Sequence, residues 1–302
     1  MSASSDNHAQ EHESYYVPAE SRIPILMALS LFLTVFGGGT LINAASQNVD
    51  SNGEWIMFAG FLGLALVLYT WFSTVIRENQ AGLNGHQLKK SYVWGMGWFI
   101  FSEVMFFLAF FGGLFYIRHW VGPWLGGEGD KGVTNYLYEG FSYSWPMLSN
   151  PDNSQFTPAL DVIDPWHLPL LNTVLLITSS VTLSFAHHAL RKQHRRMLNI
   201  WLSLTVLLGV VFLYFQVTEY AEAYNHLGLT LKSGIYGSTF FMLTGFHGAH
   251  VTIGTFMLMV QLGRSLKGHF TPEDHFGFEA SAWYWHFVDV VWVCLFIFVY
   301  IV

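Results

Sequence analysis

The sequence predicts an all-α polytopic membrane protein with seven transmembrane helices. Three observations carry that prediction. Charged residues make up 11% of the 302-residue chain and hydrophobic residues 52%. An ordinary soluble domain carries roughly 25% charged residues, so too little polar side chain is present to coat a water-soluble globule of this size. Seven stretches are apolar for about 20 residues or more, the length needed to cross roughly 30 Å of hydrocarbon. No block of about ten residues alternates apolar and polar positions as a membrane β-strand does.

The elements follow in chain order. Residues 1–22 read as a polar N-terminal tail with Asp6, Glu11, Glu13 and Glu20 against a single Arg22. That is the wrong sign for a transit peptide, and it lacks the basic start of a secretory signal. Residues 23–76 hold the first two spans, 23–45 and 55–76, neither of which contains a charge. Residues 77–91 are expected to form an inner loop bearing Arg77, Lys89 and Lys90. Residues 92–302 hold the other five spans: 92–117 with Glu103, 167–190, 197–221 with Glu219, 234–262, and 280–302 with Asp289. Between the third and fourth lies a long connection, 118–166, rich in Gly, Pro, Asn and Asp with interspersed Trp and Tyr, expected to be an ordered or interfacial outer loop.

Lys and Arg are retained on the cytoplasmic side of a membrane protein. Ten of the 13 fall on the side shared by the tail and the 2–3, 4–5 and 6–7 connections; Arg118, Lys131 and Lys232 fall on the other. This bias predicts a cytoplasmic N-terminus and a C-terminus on the opposite face. The net charge of −7 offers no basic face for phosphates, so nucleic acid is not expected as a partner. Cys294, the single cysteine, can make neither an internal disulfide nor a thiolate cluster.

Ionisable groups at membrane depth are expensive and are functional candidates by default. Glu103 lies roughly 16 Å along the third span, Asp289 roughly 14 Å along the seventh from the same side, and His250 roughly 18 Å along the sixth, with His247 one turn further. The spacings His247–x–x–His250 and His286–x–x–Asp289 each share a helix face. A metal is conceivable there, but a di-metal carboxylate site needs more acids on facing helices, so interhelical hydrogen bonding is the favoured reading and no metal is assigned. For Glu103 a neutral carboxyl bonded to a neighbouring helix and a proton-related role weigh equally. Glu219 and Glu222 read as interfacial, and the strip from His187 to Arg196 as topology signal.

Several segments are identified as those of a known family: IREN (76–79), FSEVMFF (101–107), PLLNT (169–173), AHH (186–188), YGSTFFMLTGFHGAHVTIGTF (236–256) and HFGFEASAWYWHFVDVVW (275–292). They resemble subunit III of haem–copper oxidases of the cytochrome c oxidase type, from about Ile76 onward apart from the outer loop. The resemblance implies two-helix plus five-helix bundles separated by a V-shaped lipid cleft filled with structural phospholipids. It implies no catalytic residue and no cofactor in this chain, with haem and copper in partner subunits. Subunit I is then the main contact, alongside subunit II and membrane lipids. The implied work is to support proton uptake and the durability of the catalytic subunit. The family's buried carboxylate maps to Glu103, and its lipid contacts to Trp71, Arg77, His86 and Arg264. Gly85–His86–Gln87 departs from the family's Gly-His-His, and the outer loop is longer than in compact mitochondrial forms. With the acidic tail, that favours the inner membrane of a bacterium, with the C-terminus periplasmic. The alternatives are subunit III of a quinol oxidase and an autonomous transporter or channel using the Glu103–His250–Asp289 layer.

Overall fold

The computed structural model describes Val17 and residues 20–302, so the expected polar tail, 1–22, lies almost wholly outside the described residues. The described residues contain no strand. The elements are α1 (Ile23–Gln47), α2 (Gly53–Gln80), α3 (His86–Tyr116), α4 (Gly122–Leu125), α5 (Leu168–Arg191), α6 (Arg195–Asn225), α7 (Ile235–Leu266) and α8 (Phe276–Leu295). All but the short α4 are long and apolar enough to cross a membrane, seven in number.

Each helix runs past the apolar stretch that predicts it. The stretch marks only the part matched to hydrocarbon, and nothing obliges the backbone ladder to stop where the side chains turn polar. The expected inner loop 77–91 is consequently much shorter. Residues 77–80 complete α2, His86 opens α3, and only residues 81–85 connect them. Gly82 makes that reversal at φ +73°, where a residue without Cβ turns freely. The start of the expected outer loop is likewise helical, because α3 passes through a π-helical turn, Ile117–Val121, into α4 before the chain breaks at Gly126.

The rest of that connection is ordered by polar contacts to its own backbone. Asn135 Nδ2 donates to the Leu125 carbonyl at 2.7 Å and to that of Phe141 at 3.2 Å. The Tyr143 hydroxyl donates to the Arg118 carbonyl at 2.6 Å, while the Arg118 guanidinium sits 5.6 Å over the Trp145 ring. Burial pushes the Tyr143 phenol up against the opposing pull of Arg118, so it stays a donor. Met147, Ala159 and Ile163 bury themselves in the apolar core, and Asn150 Nδ2 reaches the Ser233 carbonyl at 3.2 Å.

The chain divides into two compact units, one up to Tyr92 and one from Val93 to Val302. In the first, α1 packs along α2 through a seam that repeats every seven residues. The buried positions are Ser30, Gly37 and Ala44 on α1, and Gly53, Gly60 and Val67 on α2. Small residues let helix backbones approach closely where apolar side chains gain nothing from leaving lipid. A Cβ at Gly60 would press on the backbone of Thr34, and one at Gly37 on the backbone of Met57.

In the second unit α5 packs along α6, α6 against α7, α7 against α8, and α8 back against α5. Trp285, Trp292, Tyr284, Phe212 and Phe240 fill the middle. The Trp285 ring fits because Gly209 and Gly254 leave room; Cβ atoms there would stand 2.8 and 3.0 Å from it.

Gly60→Ala is expected to destabilise the first unit by about 1–3 kcal/mol, the usual cost of overpacking. Gly39→Ala, where an added Cβ meets nothing within 4 Å, should be neutral or gain up to about 1 kcal/mol of helix propensity. Thermal unfolding of the two variants in detergent checks the contrast.

Candidate functional site

The hydrocarbon offers no hydrogen bonds, so each polar side chain on a membrane helix must find a partner on its own or a neighbouring helix. The four packed helices of the second unit are joined in this way. Trp285 Nε1 donates to Ser179 Oγ and Trp292 Nε1 to Thr173 Oγ1, each at 2.9 Å, fastening α8 to α5. Thr182 and Thr205 share a hydrogen bond of 2.8 Å between α5 and α6, and Tyr220 and Thr244 one of 2.7 Å between α6 and α7.

The predicted polar layer resolves into separate contacts. Glu103 and His250 are brought together: Glu103 Oε2 lies 2.8 Å from His250 Nε2, joining α3 to α7. Their side chains are 22% and 13% exposed, so the pair is largely withdrawn from its surroundings. Aromatic rings wall it. Phe107 stands edge-on to the imidazole at 5.0 Å, Phe106 lies 5.8 Å away, and Tyr284 stacks at 6.3 Å.

The other ring nitrogen fixes the chemistry of the pair. His250 Nδ1 lies 2.7 Å from the Phe246 carbonyl. A carbonyl only accepts, so Nδ1 carries a hydrogen. Nε2 then either accepts from a protonated Glu103 or, as imidazolium, donates to the carboxylate. In either case the contact is one hydrogen bond between two ionisable side chains.

His247 turns the other way despite lying one turn from His250. Its Nε2 donates to the Val288 carbonyl at 3.1 Å, and its ring lies 5.1 Å from that of Trp292. His286 Nδ1 meets Ser180 Oγ at 2.6 Å, and Ser180 also lies close to the buried Asp289 carboxyl. His247 and His250 therefore address different helices, α8 and α3, whereas His286 and Asp289 both face Ser180 on α5.

Among the predicted lipid contacts, Trp71 is exposed and stacks on Phe72 at 5.6 Å. Arg77 lies along its own helix, with Nε 3.2 Å from the Ser73 carbonyl. His86 is exposed as the first residue of α3. Arg264, at the end of α7, sits 4.7 Å over the Phe270 ring and donates to Gln261 Oε1 at 3.2 Å.

Two features escape the sequence reading. Glu219, expected at the interface, has no exposed surface and accepts from the Tyr300 hydroxyl at 2.5 Å. Tyr300 belongs to a π-helical turn, Phe296–Ile301, that continues α8. Charge and position along α6 mark Glu219 as near an end; the fold encloses it and brings the Tyr300 hydroxyl to it. The second is a convergence of His187, His275 and Glu279, whose ligand-type atoms lie within 4.8 Å of one another. Glu279 Oε1 is 3.5 Å from His187 Nε2 and 3.2 Å from His275 Nε2. Among the described residues this is the group whose geometry could hold a cation. The i,i+4 spacing of His275 and Glu279 on adjoining turns was the available signal, while His187 comes from a different helix.

A hydrophobic carbodiimide entering from the lipid phase is expected to modify Glu103, whose side chain is 22% exposed, before the fully enclosed Glu219. Peptide mapping by mass spectrometry checks the order, and prior labelling of Glu219 would contradict this packing.

The family model described as cytochrome c oxidase subunit III matches residues 12–123 and 152–302. The unmatched stretch falls in the connection between α3 and α5. Relatives bearing the name cytochrome c oxidase subunit 3 align over nearly the whole chain. That of Prototheca wickerhamii is 39% identical over 280 residues, 92% of this chain and 93% of the relative. Those of Pongo abelii and Cyprinus carpio are each 38% identical over 295 residues, 97% of this chain and 98% of theirs.

Proposed function

The chain belongs to the cytochrome c oxidase subunit III family, and on that premise we propose that it is a non-catalytic subunit of a proton-pumping terminal oxidase. In this reading subunit I, with its haem and copper, reduces oxygen, subunit II completes the neighbouring core, and the present chain sustains proton uptake and the durability of the catalytic subunit. The observation that carries the reading is the Glu103–His250 pair. It is a hydrogen bond between two ionisable side chains of different membrane-crossing helices, walled by Phe and Tyr rings. Such a pair can take up, store or pass a proton.

In this reading the membrane is a bacterial inner membrane, favoured by the acidic tail and the long outer connection, and the charge bias favours a cytoplasmic N-terminal side with the far end of the last helix in the periplasm. Phospholipid headgroups are expected at the inner ends of α2 and α7, where Arg77 and Arg264 offer guanidinium forks suited to phosphate oxygens. Trp71 and His86 complete the lipid contacts on the first unit.

Glu103→Gln tests the proton role directly. The amide can still donate to His250 Nε2, so the helix contact and assembly should survive, but it cannot give up its hydrogen as a proton. Initial oxygen reduction by the assembled oxidase should stay near the parent rate, with the defect confined to proton pumping or to the lifetime of activity during turnover. Immediate loss of oxygen reduction in a fully assembled complex would assign Glu103 to catalysis and overturn the proposal.

The double variant Arg77→Leu with Arg264→Leu should lower the phospholipid retained by the purified complex and weaken association of this subunit. Lipid extraction and mass spectrometry read the first effect, and subunit stoichiometry on native gels the second.

A further inference from the structure

Away from the Glu103–His250 pair, His187, His275 and Glu279 converge where the last turns of α5 meet the first turn of α8. The connections 192–194 and 267–275 flank the place. All three residues belong to the second compact unit, and one ligand-type atom of each lies within 4.8 Å of the others. Glu279 Oε1 is the common point, 3.5 Å from His187 Nε2 and 3.2 Å from His275 Nε2. Ligand atoms around a tetrahedral ion with bonds of roughly 2.0–2.2 Å stand about 3.3–3.6 Å apart. Both contacts are close to the length a bound ion needs.

The ring hydrogens decide between an ion and a plain hydrogen bond. His275 Nδ1 lies 3.0 Å from the Thr271 carbonyl. A carbonyl only accepts, so Nδ1 carries a hydrogen, and Nε2 of the neutral ring is a lone pair. That lone pair faces a carboxylate oxygen, an acceptor against an acceptor. One ring nitrogen bonded to the backbone, with the other left as a lone pair, is also how ligating histidines are oriented at metal sites. His187 can share a hydrogen with Glu279, but at 3.5 Å, beyond the usual range of roughly 2.7–3.2 Å for an N–H···O bond. A proton on His275 would mend one of the two contacts, whereas a single cation between the three residues mends both.

The ligand types select the ion. Calcium and magnesium take oxygen ligands, while two imidazoles with a carboxylate suit zinc and its first-row neighbours. The side chains of His187 and Glu279 are 30% and 33% exposed, which leaves room for water as a fourth ligand and for exchange of the ion. Arg191, one turn beyond His187, opposes a cation, but it is exposed and its charge is screened by solvent. We infer that His187, His275 and Glu279 form a site for an exchangeable divalent cation of the zinc class, which ties the end of α5 to the start of α8.

The assembled oxidase, washed with chelator and dialysed against micromolar zinc, tests this. Metal analysis should find one zinc per complex more in the parent than in Glu279→Gln, whose amide keeps the side-chain volume and can still donate to His275 Nε2. Equal zinc in parent and variant would overturn the inference and leave a proton, not an ion, between the three residues. A large excess of magnesium should leave the difference intact; its disappearance would mean that the ion sits among oxygen ligands and not on these imidazoles. If Glu279→Gln does not assemble, the parent complex decides. An anomalous difference map at the zinc absorption edge, from zinc-soaked crystals, should show a peak between Glu279 Oε1 and the two Nε2 atoms, and a map without one would refute the site.

Discussion

Across the hydrocarbon the backbone has no water to bond, and that constraint governs the rest of the molecule. It makes every spanning segment a helix, because a helix satisfies its own N–H and C=O groups. It then removes the usual reason for helices to associate, since an apolar side chain gains little by leaving lipid for protein. What holds the helices together must therefore be close packing and polar contacts.

The two compact units meet this demand differently. The α1–α2 pair relies on packing, with Ser30, Gly37 and Ala44 lying against Gly53, Gly60 and Val67. The second unit relies on hydrogen bonds that tie neighbouring helices: Trp285 to Ser179, Trp292 to Thr173, Thr182 to Thr205, Tyr220 to Thr244. Most of these join neutral donors to neutral acceptors and can only hold position. The Glu103–His250 contact differs in kind, because both of its partners are ionisable side chains.

The surface follows from the same constraint. Large apolar side chains such as Phe61, Trp98, Leu108 and Phe256 are more than half exposed, which in water would mark an aggregating protein. In a bilayer such surfaces are ordinary, facing acyl chains or neighbouring subunits. The polar connection between α3 and α5, of which the family model leaves residues 124–151 unmatched, is held instead by side chains bonded to its own carbonyls, including Asn135 and Tyr143.

The sequence by itself determined the helical class, the seven helices long and apolar enough to span a membrane, and, through its long matching segments, the family. These depend on local quantities: apolar run length, position along a run, and the identity of short strings. Only the tertiary structure decided which polar groups meet. His247 and His250 are a single turn apart, yet one bonds Val288 on α8 and the other Glu103 on α3. Glu219 looks interfacial along α6, yet it is wholly buried and bonded by Tyr300 from the turn that continues α8. His187 joins His275 and Glu279 from a helix far away in sequence. Each outcome turns on the rotation of one helix about its axis relative to another, and a one-dimensional pattern does not contain that angle. Close packing of Trp285 between Gly209 and Gly254, and of its counterparts across the four-helix unit, sets it.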